Sequence, residues 1–173
     1  VALETTTHTY ITEGFGSHNS VAQHSVLVAI LAEQMFNEFP DQTFDVTSKQ
    51  KFLLQALLHD ASEAYLPDMP SPIKKTLPDF KALENRLQAH IFRFFKLNEN
   101  IHACIKKIDK NIRTNEMCSM QNWGEYTFPM YNLHIIPVSP QAASKMFMSK
   151  YYEIIDSEKF PVCLYERVNF SPL

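Results

Sequence analysis

The sequence predicts an all-α fold, a single compact domain of five or six helices over residues 1–173. Apolar residues recur three and four positions apart in several long segments, which is the period of a helix that buries one face. Glycine occurs only 3 times, too rarely for a sheet protein with many tight turns. Hydrophobic residues make up 45% and charged residues 20% of the chain, the balance of an ordinary globular domain.

Two capping signals mark the first two predicted helices. Residues 1–19 have no clear period and are expected to be irregular. Ser20 can cap a helix that ends before Pro40. Its stripe consists of Val21, His24, Val28, Leu31 and Met35. Thr47 or Ser48 can cap a second helix, which the prolines between Leu66 and Pro72 must end. The stripe of this helix consists of Phe52, Ala56, His59 and Glu63.

Three more helices follow in the second half of the chain. Pro78 opens the third, which runs through Phe94. The stripe of the fourth consists of Ile101, Ile105, Ile108 and Ile112. The segment 123–137 has little period and is expected to be a loop. Ser139 caps the last helix, which has proline at its first position and extends to Ile154, and the tail from Phe160 is expected to be extended or irregular.

Composition also narrows the cellular setting. Three cysteines are too few for a disulfide scaffold, which favours a reducing compartment. No stretch is apolar for the roughly 20 residues of a membrane span, and no signal peptide is recognisable. A net charge of -3 argues against a nucleic-acid polymer as partner. We therefore expect a cytoplasmic protein, or one of the host cytoplasm if the protein belongs to a phage.

The pair His59-Asp60 is the first candidate for chemistry. It lies in the apolar run from Phe52 to Ala64, where a buried carboxylate is costly unless a cation pairs with it. No Lys or Arg lies nearby in the sequence. A metal ion would resolve this, and imidazole with carboxylate suits one divalent Zn, Mn, Co or Fe ion.

Other helices must supply the remaining ligands of such an ion. His24 lies in the apolar stripe of the first helix, and Asp109 lies between Ile108 and Ile112 of the fourth. Two histidines and two aspartates on three helices are what a metal site in a bundle requires. The alternative for His24 alone is a core histidine with a hydrogen-bond partner, which is the more frequent case.

Three charged residues follow the pair. Glu63 is three and four positions after the pair, so one helix would bring it to the same side, where a carboxylate can move a proton; otherwise it pairs with a surface lysine. Asp68 lies in a proline-rich loop suited to a ligand contact, or it is a turn residue. Lys74 follows closely enough to meet a phosphate.

Several segments together resemble the HD-domain phosphohydrolases. The likeness is to a small bacterial and phage branch near the YfbR-type 5'-deoxynucleotidases and the DatZ-type dATP triphosphohydrolases, and it covers about residues 20–155. The matching segments are Ser20–Ser25, Leu57–Tyr65, Asp68–Lys74, Ile108–Lys110 and Ile136–Ala143 with Phe147. The resemblance implies an HD-domain bundle.

The resemblance also implies roles for single residues. The implied metal ligands are His24, His59, Asp60 and Asp109. Glu63 would be the catalytic carboxylate, Lys74 a phosphate contact, and Asp68 the partner of the sugar 3'-hydroxyl. The family places an arginine and an aromatic residue ahead of the first histidine. Here no arginine precedes Arg86, and Tyr10, Phe15 or His18 would take part of that role in substrate binding.

The function expected from these observations is hydrolysis of a 2'-deoxyribonucleotide. Our first expectation is a triphosphohydrolase that prefers dATP, and the alternative is a 5'-deoxynucleotidase that acts on monophosphates. A further Mg ion on the substrate phosphates and a symmetric homo-oligomer belong to this expectation. The competing hypothesis is a non-catalytic helical module with a structural metal site, although such sites favour cysteine-rich shells.

Overall fold

The computed structural model describes residues 3–4, 10–12, 15–17, 21–38, 49–66, 69, 71–121, 135 and 138–156. Apart from a small N-terminal sheet, the described residues form helices and their connections, so the fold class is all-α as the sequence predicts. The helices are α1 (Val21–Glu38), α2 (Lys49–Leu57), α3 (Ser71–Lys74), α4 (Pro78–Phe94), α5 (Ala103–Gln121) and α6 (Pro140–Ile155). A 3₁₀ turn at Ala61–Ala64 follows α2. The expected loop at 123–137 and the tail from Phe160 lie almost wholly outside the described residues.

The N-terminal segment differs from the expectation of irregular structure. Its described residues form a small antiparallel sheet in the order β1-β2-β3, made of β1 (Leu3–Glu4), β2 (Tyr10–Thr12) and β3 (Phe15–Ser17). Strands of two or three residues are too short to produce a visible alternation of apolar and polar residues.

The core is built around α1, which packs against α2, α5 and α6. Nine residues of α1 between Gln23 and Ala32 are buried. They include the polar residues Gln23, His24 and Ser25. The other large buried side chains come from every long helix. They are Phe52 and Leu57 of α2, Phe92 of α4, Ile105, Ile108 and Ile112 of α5, and Ile154 of α6. The polar side chains of α1 are therefore enclosed by apolar packing, which fixes their positions.

An ion-pair cluster ties α6 to α1 beside this core. Lys150 is only 2% exposed, and its ammonium group lies 2.7 Å from carboxylate oxygens of both Glu33 and Glu153. Lys49, at the start of α2, also pairs with Glu33. Glu33 of α1 thus forms ion pairs with both α2 and α6.

Helix α4 lies to one side of this core. It packs against the 3₁₀ turn and against α3. None of the helices in the described part of the chain is long and apolar enough to cross a membrane.

Candidate metal centre

Four side chains that lie far apart in the sequence converge at one place. His24 comes from α1, His59 and Asp60 from the turn after α2, and Asp109 from α5. Each offers one nitrogen or oxygen donor, and these four atoms lie within 4.8 Å of one another. The structure therefore brings together the four residues that the sequence nominates as metal ligands.

The turn that carries two of these residues departs from the predicted helix. Helix α2 ends at Leu57, so His59, Asp60 and Glu63 do not share a continuous helical face as their spacing suggested. The side chain of Gln88 on α4 holds the turn from both ends. Its amide nitrogen donates to the carbonyl of Leu58 at 2.7 Å, and its amide oxygen accepts from the backbone N–H of Ser62 at 2.9 Å.

The ring of His59 is fixed in one orientation. Its Nδ1 lies 2.9 Å from the carbonyl oxygen of Ala56, which can only accept, so Nδ1 carries a proton. Nε2 therefore points into the cluster, 3.2 Å from Oδ2 of Asp60 and 3.6 Å from Oδ1 of Asp109. Neither contact has hydrogen-bond geometry, and Nε2 is a buried polar atom without a hydrogen-bond partner.

The ring of His24 is held in a parallel way. Nδ1 lies 3.1 Å from each carboxylate oxygen of Glu116. Nε2 lies 3.0 Å from Oδ1 of Asp109 and 3.9 Å from Oδ2 of Asp60. The two imidazole rings are 5.3 Å apart between centroids. Both histidines thus turn their Nε2 atoms towards the same two carboxylates.

Strong electrostatic coupling follows from this geometry. Burial lowers the pKa of His24, but the carboxylates of Asp109 and Glu116 outweigh burial and raise this pKa to about 9. Burial likewise lowers the pKa of His59, while Asp109 and Asp60 raise it to about 10. For both aspartates burial raises the pKa, yet the histidines and Arg113 hold it below the ordinary value. Positive charge between the two aspartates therefore stabilises their carboxylates.

Arg113 supplies part of that charge. It follows Asp109 by one turn of α5, and its Nε lies 2.8 Å from Oδ1 of Asp109. Its Nη2 lies 3.1 Å from Oδ2 of Asp60. No cation lies near the His59-Asp60 pair in the sequence, but the fold brings Arg113 to Asp60 from 53 positions away.

The donor set fits a divalent metal ion. Two imidazole nitrogens and two carboxylates suit Zn, Mn, Co or Fe. Nε2 of His59 is buried, makes no hydrogen bond and faces two carboxylate oxygens, which is the position of a nitrogen that could bind a metal ion. Hydrogen bonds from Nδ1 to Glu116 and to the Ala56 carbonyl are the support that metal-binding histidines usually have.

Two further predicted site residues lie together beside the cluster. Glu63 is 13% exposed, and its carboxylate lies 3.9 Å from Nζ of Lys74. It also interacts electrostatically with Arg113. The ammonium group of Lys74 is much closer to Glu84, at 2.6 Å. Lys74 is thus held by two carboxylates. Its contact with Glu63 agrees with the alternative interpretation of Glu63 as the partner of a lysine, whereas the sequence did not indicate the pairing with Glu84.

The remaining predicted substrate residues are not described by the structure. His18 and Asp68 lie outside the described residues, and so do the side chains of Tyr10 and Phe15. Their proposed roles stay predictions.

Comparison with known proteins places the chain in a family. The family model of the YfbR-like 5'-deoxynucleotidases matches residues 14–120. The chain is also 30% identical over 149 residues to the uncharacterized protein YfdR of Escherichia coli strain K12, a match that covers 81% of this chain and 74% of that protein. No solved structure gives a significant match.

The fold and the site define an all-α protein whose His/Asp cluster could hold a divalent metal ion. Because the family model spans more than half of the chain, the chain belongs to the YfbR-like 5'-deoxynucleotidase family. The family consists of metal-dependent HD-domain phosphohydrolases, and the protein is an enzyme of this type.

Proposed function

We propose that the protein is a 5'-deoxynucleotidase, which hydrolyses 2'-deoxyribonucleoside 5'-monophosphates to a deoxynucleoside and phosphate. The observation that carries this proposal is the convergence of His24, His59, Asp60 and Asp109, with Nε2 of His59 buried and making no hydrogen bond. The family match supports a nucleotidase. Our first expectation was a triphosphohydrolase that prefers dATP. The family match does not support that expectation and fits the monophosphate alternative better.

A catalytic role for the centre is favoured by its uneven burial. The side chains of His24 and His59 are 7% and 3% exposed, whereas those of Asp60 and Asp109 are 17% and 18% exposed. One side of the cluster is therefore sealed by the core and the carboxylate side is accessible. A structural metal site is expected to be closed on all sides, so the geometry favours the enzyme over the non-catalytic alternative.

A divalent ion bound here would polarise a phosphate oxygen and lower the pKa of water towards about 7. The histidines supply neutral nitrogen ligands because their Nδ1 protons are engaged elsewhere. In this proposal the same four residues hold the ion and fix where the phosphate of the substrate must lie.

Glu63 is the proposed proton carrier. Its carboxylate is mostly buried beside the cluster and near the cations Arg113 and Lys74. A carboxylate in such a position can take a proton from an attacking water and deliver one to the leaving 5'-oxygen of the sugar. Glu63 is distinct from the four metal-binding residues, so its role is separable from metal binding by mutation.

The test is product analysis with purified protein. The metal-stripped protein is supplied in turn with Mn, Co, Zn or Mg and offered dAMP, dGMP, dCMP, dTMP, dATP and AMP. We expect metal-dependent release of inorganic phosphate from the deoxynucleoside monophosphates. Release of triphosphate from dATP in preference to phosphate from dAMP would overturn the monophosphate assignment. Metal binding without turnover of any nucleotide would favour the non-catalytic module.

A further inference from the structure

We propose that Arg113 is a phosphate-binding residue that the metal ion releases for this role. The proposal deepens the proposed function, because it names how the same site would hold the phosphate group of its substrate. It rests on the contacts of Arg113, on its exposure and on the chemistry of guanidinium groups.

The contacts of Arg113 are made to the atoms that a metal would use. Its guanidinium lies on Oδ1 of Asp109 and on Oδ2 of Asp60, at 2.8 and 3.1 Å. The same two oxygens face Nε2 of His24 and Nε2 of His59, at 3.0 and 3.2 Å. If these four residues held a divalent cation, the same oxygens would bind it, and the guanidinium of Arg113 would be repelled. Arg113 and the metal are therefore competitors for one pair of carboxylates.

A released guanidinium remains at the site. Arg113 is anchored on α5 one turn from Asp109, and 53% of its side chain is exposed. It carries five N–H donors in a planar fork and stays charged at any ordinary pH. An acceptor that can replace the carboxylates must be anionic, and a phosphate bound next to the metal offers two oxygens in the matching geometry.

Lys74, the phosphate contact implied by the resemblance, is less suited to this role. Its ammonium group lies 2.6 Å from Glu84 and 3.9 Å from Glu63, and only 23% of the side chain is exposed. Neither of these carboxylates is among the four candidate metal ligands. Binding of a divalent metal would therefore leave Lys74 paired with them. The half-exposed Arg113, whose present partners are the metal ligands, is the cation that metal binding would free.

Inorganic phosphate and Mn²⁺ are the probes for this proposal, and calorimetry is the readout. Binding of Mn²⁺ to the metal-stripped protein is measured first, followed by binding of inorganic phosphate to the Mn²⁺-loaded protein. The variants are Arg113→Gln and Arg113→Lys. The matched control is Arg93→Gln, since Arg93 is an exposed arginine of α4 that pairs with Glu99.

We expect Arg113→Gln to weaken phosphate binding by about tenfold or more. Mn²⁺ binding should be retained or tightened, because a competing cation is lost. Arg113→Lys should weaken phosphate binding less, since charge is kept and the planar fork is lost. Arg93→Gln should match the wild type in both measurements.

Three results would overturn the proposal. They are unchanged phosphate affinity in Arg113→Gln, absence of phosphate binding to the loaded wild type, and loss of Mn²⁺ affinity in both Arg113 variants. The last would make Arg113 a support of the ligands. Failure of the proposed function has a separate signature, which is no nucleotide turnover by a wild type whose phosphate binding depends on Arg113.

Discussion

Both carboxylate oxygens of Glu116 lie 3.1 Å from Nδ1 of His24, and both side chains are buried. The two residues are 92 positions apart in the chain, on α5 and α1. This contact fixes the ring of His24 and directs its Nε2 towards Asp109 and Asp60. Glu116 therefore belongs to the candidate metal centre, because it positions one of the residues that would touch the ion.

The first prediction concerns this contact. Glu116→Gln keeps an acceptor for the Nδ1 proton of His24 but removes the negative charge that makes the imidazole a stronger ligand. We expect metal affinity to fall by about 10- to 100-fold while the fold is retained. Titration of the metal-stripped protein with Mn²⁺ measures this, with circular dichroism as the check on folding. Glu99→Gln, at an exposed site, serves as control, and equal affinity in the two variants would contradict the prediction.

The second prediction concerns the loss of one ligand. Asp109→Ala removes the carboxylate that contacts both histidines. We expect metal content and turnover to fall together, because both depend on the same oxygen atoms. Elemental analysis and phosphate release on the same preparation test this. Full metal content with full turnover would show that the site is assigned to the wrong residues.

The third prediction concerns the pH dependence of metal binding. In the metal-free protein the pKa of His24 is raised to about 9 and that of His59 to about 10. Both rings are therefore protonated below these values, and the ion must displace their protons. Metal affinity should fall as the pH is lowered from about 9, and binding at pH 7.5 should release about two protons.

Calorimetry in two buffers of different ionisation enthalpy counts those protons. Metal affinity that is independent of pH between 6 and 8 would contradict the third prediction. His102, which lies away from the cluster against Phe52, provides the control variant His102→Gln. Proton release by this variant should equal that of the wild type.

The fourth prediction separates catalysis from metal binding. Glu63→Ala removes the proposed proton carrier and none of the four proposed ligands. We expect kcat to fall by about 10²- to 10⁴-fold with metal content preserved. Glu99→Ala controls for the loss of a carboxylate at an exposed site. An unchanged kcat would remove Glu63 from catalysis, and loss of metal would make it a ligand.

The fifth prediction concerns stability rather than activity. Burial raises the pKa of Glu33, but Lys150 and Lys49 outweigh burial and leave this pKa below the ordinary 4.5. The stabilisation is therefore present above about pH 4.5 and is lost as the pH falls through the depressed value. Glu33→Gln should lower the free energy of unfolding by about 1–3 kcal/mol at pH 7.

Urea unfolding at pH 7 and pH 3.5 measures the effect of Glu33→Gln. The difference from the wild type should shrink at the lower pH. Glu38→Gln, at an exposed position of the same helix, should have little effect at either pH. A difference that does not change with pH would show that the charge of Glu33 is not its source.

Much of the fold and the convergence of the four candidate ligands could be predicted from the sequence. The buried stripe of α1 places His24 in the core, and the spacing of the isoleucines in α5 places Asp109 beside the same core. Each of these signals is periodic within one helix, so local sequence carries it. Glu116 also follows Asp109 by two helical turns, and this spacing was a signal that could have identified it.

Interactions between distant segments could not be predicted in this way. The apolar period continues from Leu57 to Ala64, yet α2 ends at Leu57, and the side chain of Gln88 from α4 makes two hydrogen bonds to the backbone of the turn that follows. Arg113 is 53 positions from Asp60, so a search for a counter-charge near the His-Asp pair missed it. In both cases the partner becomes visible only when the chain has folded.

The metal centre joins parts of the chain that are far apart, since His24 and Asp109 are separated by 85 positions. An ion can engage all of its ligands only after α1, the turn after α2 and α5 have met. A bound ion would therefore contribute little to the early steps of folding and would stabilise the finished structure. We expect metal loading to slow unfolding far more than it speeds folding, so that the loaded enzyme is long-lived in kinetic terms.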